Sequence, residues 1–266
     1  MKKELNLMIT PAEFPVPLII LPETDSTNNY LTQLCNEQQS AVREFTTVIA
    51  ERQTAGKGQR GNSWESEDCR NITFSFVLYP TFIEARRQFI LSQIVSLSIK
   101  EELDQWTEGI SIKWPNDIYW NEKKICGILI ENDLSGHHIG RSISGIGVNI
   151  NQDVFRSNAP NPISLKQITG KDHDRYLILA NIMKRVKEYY TLLQADTSNN
   201  AADIITERYV RSLFRRNGFH RYADADGEFL ARLLSVEPDG RFILKDQTGK
   251  ERGYLFKEVQ YLSLIH

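Results

Sequence analysis

Cysteine is scarce: the 266 residues contain three, Cys35, Cys69 and Cys126, odd in number and far apart. That spacing forms neither a disulfide framework nor a zinc-ligand pattern, so a reducing compartment, the cytoplasm, is the expectation. Long apolar runs are missing as well, because nothing approaches the ~18 residues that cross a bilayer. The opening MKKELNLMITPAEF has two lysines but no apolar segment, since Glu4, Asn6 and Glu13 interrupt it. No charge of one sign dominates. With 32 Lys+Arg against 34 Asp+Glu the net charge is −2, which leaves no broad electrostatic footprint for nucleic acid or an anionic membrane. Internal repeats and low-complexity tracts are absent, which removes solenoids and propellers.

What is present is ordinary globular material, 41% apolar and 25% charged. A chain of this mass buries about 73% of its unfolded surface, enough for a core without disulfide or metal staples. The pattern predicts a strand at 18–21, a helix to about residue 36, and strands at 45–50 and 72–79. A long helix over 84–106 follows, then strands near 110–113, 118–120, 125–130 and 142–150 joined by tight turns. Antiparallel neighbours this close imply an α+β fold with a mixed, largely antiparallel sheet and flanking helices, the last two near 174–194 and 202–215. After Asn217-Gly218 short apolar runs alternate with turns at Asp226-Gly227, Pro238-Asp239-Gly240 and Thr248-Gly249. That texture predicts two units, 1–216 and 217–266, the second a small SH3-like β-barrel.

Gly56-Lys57-Gly58-Gln59-Arg60-Gly61 matches the dinucleotide fingerprint G-x-G-x-x-G letter by letter. The fingerprint requires a helix opening at the loop, yet Asn62 to Arg70 is polar and a strand follows, so that reading fails on context. A Walker loop fails too, because Gly61 is followed by Asn62-Ser63. What remains is three glycines and two cations, either a cradle for an anion or a solvated hairpin. Lys113-Trp114-Pro115-Asn116-Asp117 pins a turn at the end of a buried strand, where Lys113 faces either a phosphate or solvent. In Lys124-Ile125-Cys126-Gly127-Ile128 and in Gly145-Ile146-Gly147-Val148-Asn149, glycines inside strands mark close approach by a ligand or by another backbone. The adjacent His137 and His138 have no third ligand at metal spacing, and no signature of a covalent nucleophile is present.

In order, Glu23-Thr24-Asp25-Ser26-Thr27-Asn28, Gln53 to Trp64, Lys113 to Asp117, Lys124 to Leu129 and Gly145 to Asn149 resemble the biotin protein ligase (biotin–[acetyl-CoA-carboxylase] ligase) family. The resemblance implies a core like that of class II aminoacyl-tRNA synthetases and biotin ligases. It also implies a two-step reaction. Biotin and ATP, with Mg²⁺ assisting and no metal site built from protein ligands, give biotinoyl-5′-AMP. A lysine of a biotin carboxyl carrier domain then takes the biotin. Fixed cations and N–H donors suit both steps, since negative charge builds on phosphate or carbonyl oxygen.

Motif by motif, the resemblance assigns Ser26, Thr27, Asn28 and Gln53 to biotin's polar head. Lys57, Gly58, Gln59 and Arg60 fold over the carboxylate and α-phosphate. Lys124 meets the carboxylate, Lys113 the phosphates, Trp64 the adenine, and Asn62, Asn116 and Asn149 the nucleotide side, with Gly127, Gly145 and Gly147 as floor. Lys124, Lys113 and Arg60 carry the catalytic charge. Lys57, Gln59 and Asn62 stand where many relatives have arginine, which implies a leakier hold on the adenylate. Only 22 residues precede Glu23, so no DNA-binding domain and no DNA partner are expected. No membrane partner is expected either, and a homodimer is compatible with the motifs. Two other readings use the same fold: an enzyme handling lipoate or octanoate, and a module that senses biotin without turnover.

Overall fold

The computed structural model describes residues 13–37, 41–59, 62–157, 159–198 and 200–262. Two short apolar strands, β1 (Leu18–Leu21) and β2 (Thr47–Ala50), are linked through helix α1 (Thr27–Glu37). The helical crossover returns the chain in its original direction, so β1 and β2 pair in parallel. Every other pairing in the sheet is antiparallel, through β3 (Ile72–Leu78), β4 (Ile110–Lys113), β5 (Asp117–Trp120), β6 (Lys123–Ser135) and β7 (His138–Val148). The order across the seven strands is β1-β2-β3-β7-β6-β5-β4. This is the mixed, largely antiparallel sheet of an α+β fold that the turn spacing implied.

Helices α2 (Phe89–Leu103), α3 (Leu165–Thr169), α4 (Arg175–Ala195) and α5 (Asn200–Arg211) follow in the chain, and α2 packs against α4 and α5 over one face of the sheet. On the opposite face Leu31 and Cys35 of α1 pack on Val48, Val77 and Ile143. Covered on both faces, β3 is buried at all seven positions.

Three stretches differ from the sequence expectation for visible reasons. The helix expected from residue 84 starts at Phe89, because Ile139 N–H donates to Ile83 O (3.0 Å) and Ala85 N–H to His137 O (2.9 Å). Those bonds hold residues 83–85 against the β6–β7 turn. Helix α5 stops at Arg211 rather than 215, because Ile112 N–H donates to Ser212 O and Phe214 N–H to Ile112 O, adding this segment to the edge of β4. Helix α3 escapes the periodicity because it is one turn long, yet Ser164 and Gln167 form a full capping box before it.

The C-terminal strands are β8 (His220–Asp224), β9 (Gly227–Val236), β10 (Phe242–Asp246), β11 (Glu251–Tyr254) and β12 (Gln260–Tyr261). Their order, β11-β10-β9-β8-β12, is linear, so among the described residues this sheet is open and the expected barrel is not closed. It is docked firmly. Trp114 stacks on Phe242 (4.9 Å between centroids) and donates Nε1–H to Gly240 O (2.9 Å). One hydrophobic core thus runs from Phe74 and Ile94 to Tyr222 and Leu244.

The β10–β11 hairpin is closed by Asp246. Its carboxylate accepts from Thr248 Oγ1 (2.6 Å), Arg252 Nε (3.0 Å), Lys250 N–H (3.0 Å) and Thr248 N–H (2.9 Å). The Thr248 hydroxyl, with Arg252 behind it, holds the Asp246 pKa down at about 2. A folded-state pKa below the unfolded ~3.9 gives stability that is complete above about pH 4 and fades toward pH 2. Urea midpoints measured across that window should fall for the wild type. Asp246→Asn should start lower at neutral pH and lose that part of the acid dependence.

Candidate functional site

The parallel pair β1/β2 brings the first two motifs together. Past the strand ends the pairing continues as a bridge between Thr24 and Gln53, with Thr24 N–H donating to Arg52 O and Thr54 N–H to Thr24 O. Gln53 Oε1 therefore lies at the start of α1 and accepts from Thr27 N–H (2.8 Å) and Thr27 Oγ1 (3.2 Å). Behind them Ser75 on β3 sits 2.7 Å from Thr27 Oγ1 and 2.5 Å from Asn28 Oδ1. Asn28 Nδ2 donates to Glu131 Oε2 (2.8 Å). A single hydroxyl proton serves only one of Ser75's two neighbours, so Thr27 and Asn28 are oriented together. Ser26, Thr27 and Asn28 are all buried.

The floor is bare backbone. Gly127 of β6 lies opposite Gly147 of β7, and Gly145 is two residues farther along. A Cβ on Gly145 would meet Asn28 Oδ1 at 2.2 Å, and one on Gly147 would meet Trp64 Cε2 at 2.2 Å. A Cβ on Gly127 would meet Trp64 Cζ3 at 2.9 Å. Only glycine lets the α1 amide and the indole lie flat on the sheet. Trp64 arrives on a narrow hairpin, with Gly58 N–H donating to Asn62 O (2.6 Å) and Trp64 N–H to Gly56 O (2.9 Å). Among the described residues no α-helix follows the loop, as the failure of the dinucleotide pattern required. Lys57 Nζ is held by Asn29 Oδ1. Arg60 and Gly61 lie outside the described residues.

At the far end Lys124 Nζ pairs with Asp117 Oδ1 (2.8 Å) and sits 5.9 Å from the Trp64 ring. Asn116 Nδ2 donates to Ile128 O (2.8 Å), fixing the turn against β6. Asn149 Nδ2 donates to Ile163 O (3.1 Å). Asn149 Oδ1 and Trp64 Nε1 are buried without a partner, two polar atoms left for something else.

These groups line one cavity of about 480 Å³. Ser26, Thr27, Asn28, Gln53, Lys57, Gly58, Gln59, Asn62, Trp64, Asn116, Lys124, Gly127, Gly145 and Asn149 all face it, so the sequence motifs converge. Lys113 does not. Its Nζ turns to Tyr119 Oη (3.1 Å) and lies over the rings of Tyr119 (4.6 Å) and Tyr261 (5.1 Å). Burial pushes this ammonium below its usual pKa, with Asp117 pulling the other way. The expected phosphate contact therefore finds no support in this arrangement, in which the aromatic cage partners the half-buried lysine. Residues to which the motifs gave no role include Asp117 and Tyr119 of β5, both on the cavity wall. Glu65 holds the next wall by accepting from Arg156 N–H and Ser157 N–H (both 2.8 Å). Phe155, Pro160 and Phe256 close the rest.

Residues 20–149 match the model of the Biotin/lipoate A/B protein ligase family. Biotin--[acetyl-CoA-carboxylase] ligase of Paracoccus denitrificans is 31% identical over 242 residues, covering 87% of this chain and 95% of that protein. The chain belongs to the biotin protein ligase family. Bifunctional ligase/repressor BirA of Bacillus spizizenii is 29% identical over 250 residues, 89% of this chain. The chain spans between 54% and 72% of the length of the BirA proteins it matches. The structure of the Aquifex aeolicus biotin protein ligase in complex with biotin and ATP aligns with a TM-score of 0.73 at 29% identity, over 92% of this chain and 99% of that one. Within this biotin protein ligase fold the glycine floor has a direct test. Gly147→Ala should destabilise by about 1–3 kcal/mol through overpacking against Trp64. Thermal unfolding of Gly147→Ala/Trp64→Ala should show no further loss beyond Trp64→Ala alone.

Proposed function

We propose that the cavity activates biotin with ATP and passes it to a carrier lysine. In the first step a biotin carboxylate oxygen attacks the α-phosphorus, and the bond to pyrophosphate breaks. In the second the carrier amine attacks the acyl carbon, AMP leaves, and the amine loses a proton. One observation carries this reading: a buried polar cluster and the Lys124 ammonium face one glycine-floored cavity in a member of the ligase family.

The polar end suits a neutral cyclic urea. Ser26 Oγ and Gln53 Nε2 offer polar contacts, while Thr27 and Asn28 are held in place by Gln53, Ser75 and Glu131. Lys124 lies where a carboxylate entering from that end meets the nucleotide, and Asp117 fixes its ammonium. A fixed cation stabilises charge developing on the attacked phosphate without the reorganisation that water requires. Asn149 Oδ1, buried without a partner, would take a donor from the nucleotide.

Among the described residues no three His, Cys, Asp or Glu side chains converge on a metal site. Mg²⁺ keeps water ligands and takes only one or two carboxylates, so Asp117 on the cavity wall would be the protein donor for an ion arriving on the phosphates. Bound so, it neutralises phosphate charge. Residues 1–216 form the catalytic unit of this proposal, and 217–266 its SH3-like companion.

Incubation with ATP, biotin and an apo carrier domain should give biotinylated carrier, and absence of transfer overturns the proposal. Lys124→Ala should lower adenylate formation about 10²-fold or more with the fold intact. An unchanged rate would refute that lysine's role. Arg60→Ala should speed escape of biotinoyl-AMP into solution, read by quenched-flow detection of the free adenylate.

A further inference from the structure

Among the described residues Phe256, on the turn between β11 and β12, is the one cavity-lining residue from the C-terminal unit. It is carried on a built turn. Glu258 N–H donates to Leu255 O (3.1 Å), and the Glu258 carboxylate returns to accept from Leu255 N–H (2.7 Å). Between them Lys257 has φ 73°, a left-handed conformation that a residue with a side chain adopts at a cost. Such positions persist where the surroundings fix them, and they concentrate at ligand sites. Here the turn aims an aromatic ring into the cavity while leaving Leu255 48% exposed beside it. Phe256 is braced from below by Trp114, 6.4 Å away at an edge-on 63°, and Trp114 is itself stacked on Phe242.

The cavity's axis indicates what meets this ring. Along β7, Gly145 lies under Asn28 and Gly147 under Trp64, with Asn149 next. At ~3.3 Å per residue those positions span about 13 Å. The polar head-group cluster occupies the Gly145 end and belongs to α1, which packs over β2, β3 and β7. Phe256 stands beside the Trp114–Asp117 segment that joins β4 to β5, and it lines the same cavity as the unpartnered Asn149 Oδ1.

We propose that Phe256 is a stacking contact for the base of the nucleotide, supplied across the junction by the turn that follows β11. This rests on the ligase reading above. With Trp114 edge-on to it and Lys257 Nζ 5.9 Å from its centroid, the Phe256 ring forms an aromatic wall of the cavity, and base–aromatic stacking tolerates any planar ring but not its removal.

The full chain is assayed by biotin-dependent ATP–pyrophosphate exchange with ATP varied, and biotin binding is measured by calorimetry without nucleotide. Phe256→Ala should raise KM for ATP about tenfold, the scale of one lost base stack. Biotin affinity should be unchanged, and Phe256→Trp should stay near wild type. Phe256→Leu, which keeps the core filled, should fall between them and serves if the alanine variant fails to fold. An unchanged KM for ATP, a parallel loss of biotin affinity, or an effect confined to KM for the carrier domain would each overturn the assignment. Absence of exchange in the wild type would instead overturn the ligase reading, and this contact with it.

Discussion

The site depends on a close approach. Three glycines on two adjacent strands remove every side chain from one patch of the sheet, and an amide and an indole settle onto the backbone left bare. Asn28 and Trp64 come from opposite directions, one on the first turn of α1 and the other on the hairpin after β2. Because each is in contact with the sheet, neither has freedom to drift. The head-group cluster, the Trp64 hairpin and the Lys124–Asp117 pair inherit their spacing from that contact. A larger residue at any of the three glycines displaces a functional group and does not merely fill space.

The two described lysines of the cavity wall are not free charges. Lys57 is held by Asn29 and Lys124 by Asp117, while Glu65 spends its oxygens on the backbone of residues 156 and 157. Arrangement of this kind costs side-chain entropy during folding and so lowers what must be ordered when an anion arrives. It also tempers the attraction for anions, since Asp117 sits beside the cation that meets them.

Much of this was legible from residue order. The sheet follows from the turn spacing, and fifteen of the expected site residues, Gly147 included, face one cavity because the motifs sit on strand ends and glycine positions that the register brings together. The cage around Lys113 was not legible, because Tyr261 joins it from nearly 150 residues away and no local pattern announces a pairing of that range. Ser75 was invisible for another reason: a serine inside a buried strand looks the same whether or not it braces a site. Only the alternation placing 73, 75 and 77 on the α1 face of β3 hinted at it. Phe256 reads in sequence as core, and its second role appears only with the turn that carries it.

Trp114 sits two residues before Asn116 and three before Asp117, so one short turn both walls the cavity and plugs into the C-terminal sheet. There is no slack between those duties. A shift of β10 against the core moves Trp114, and the Asp117 that fixes Lys124 follows. The C-terminal sheet is thus geared to the cavity rather than appended to it. In a chain cut between residues 216 and 217 each piece would keep one ring of the Trp114–Phe242 stack, and recombining the pieces would mean rebuilding the wall of the active cavity along with the joint.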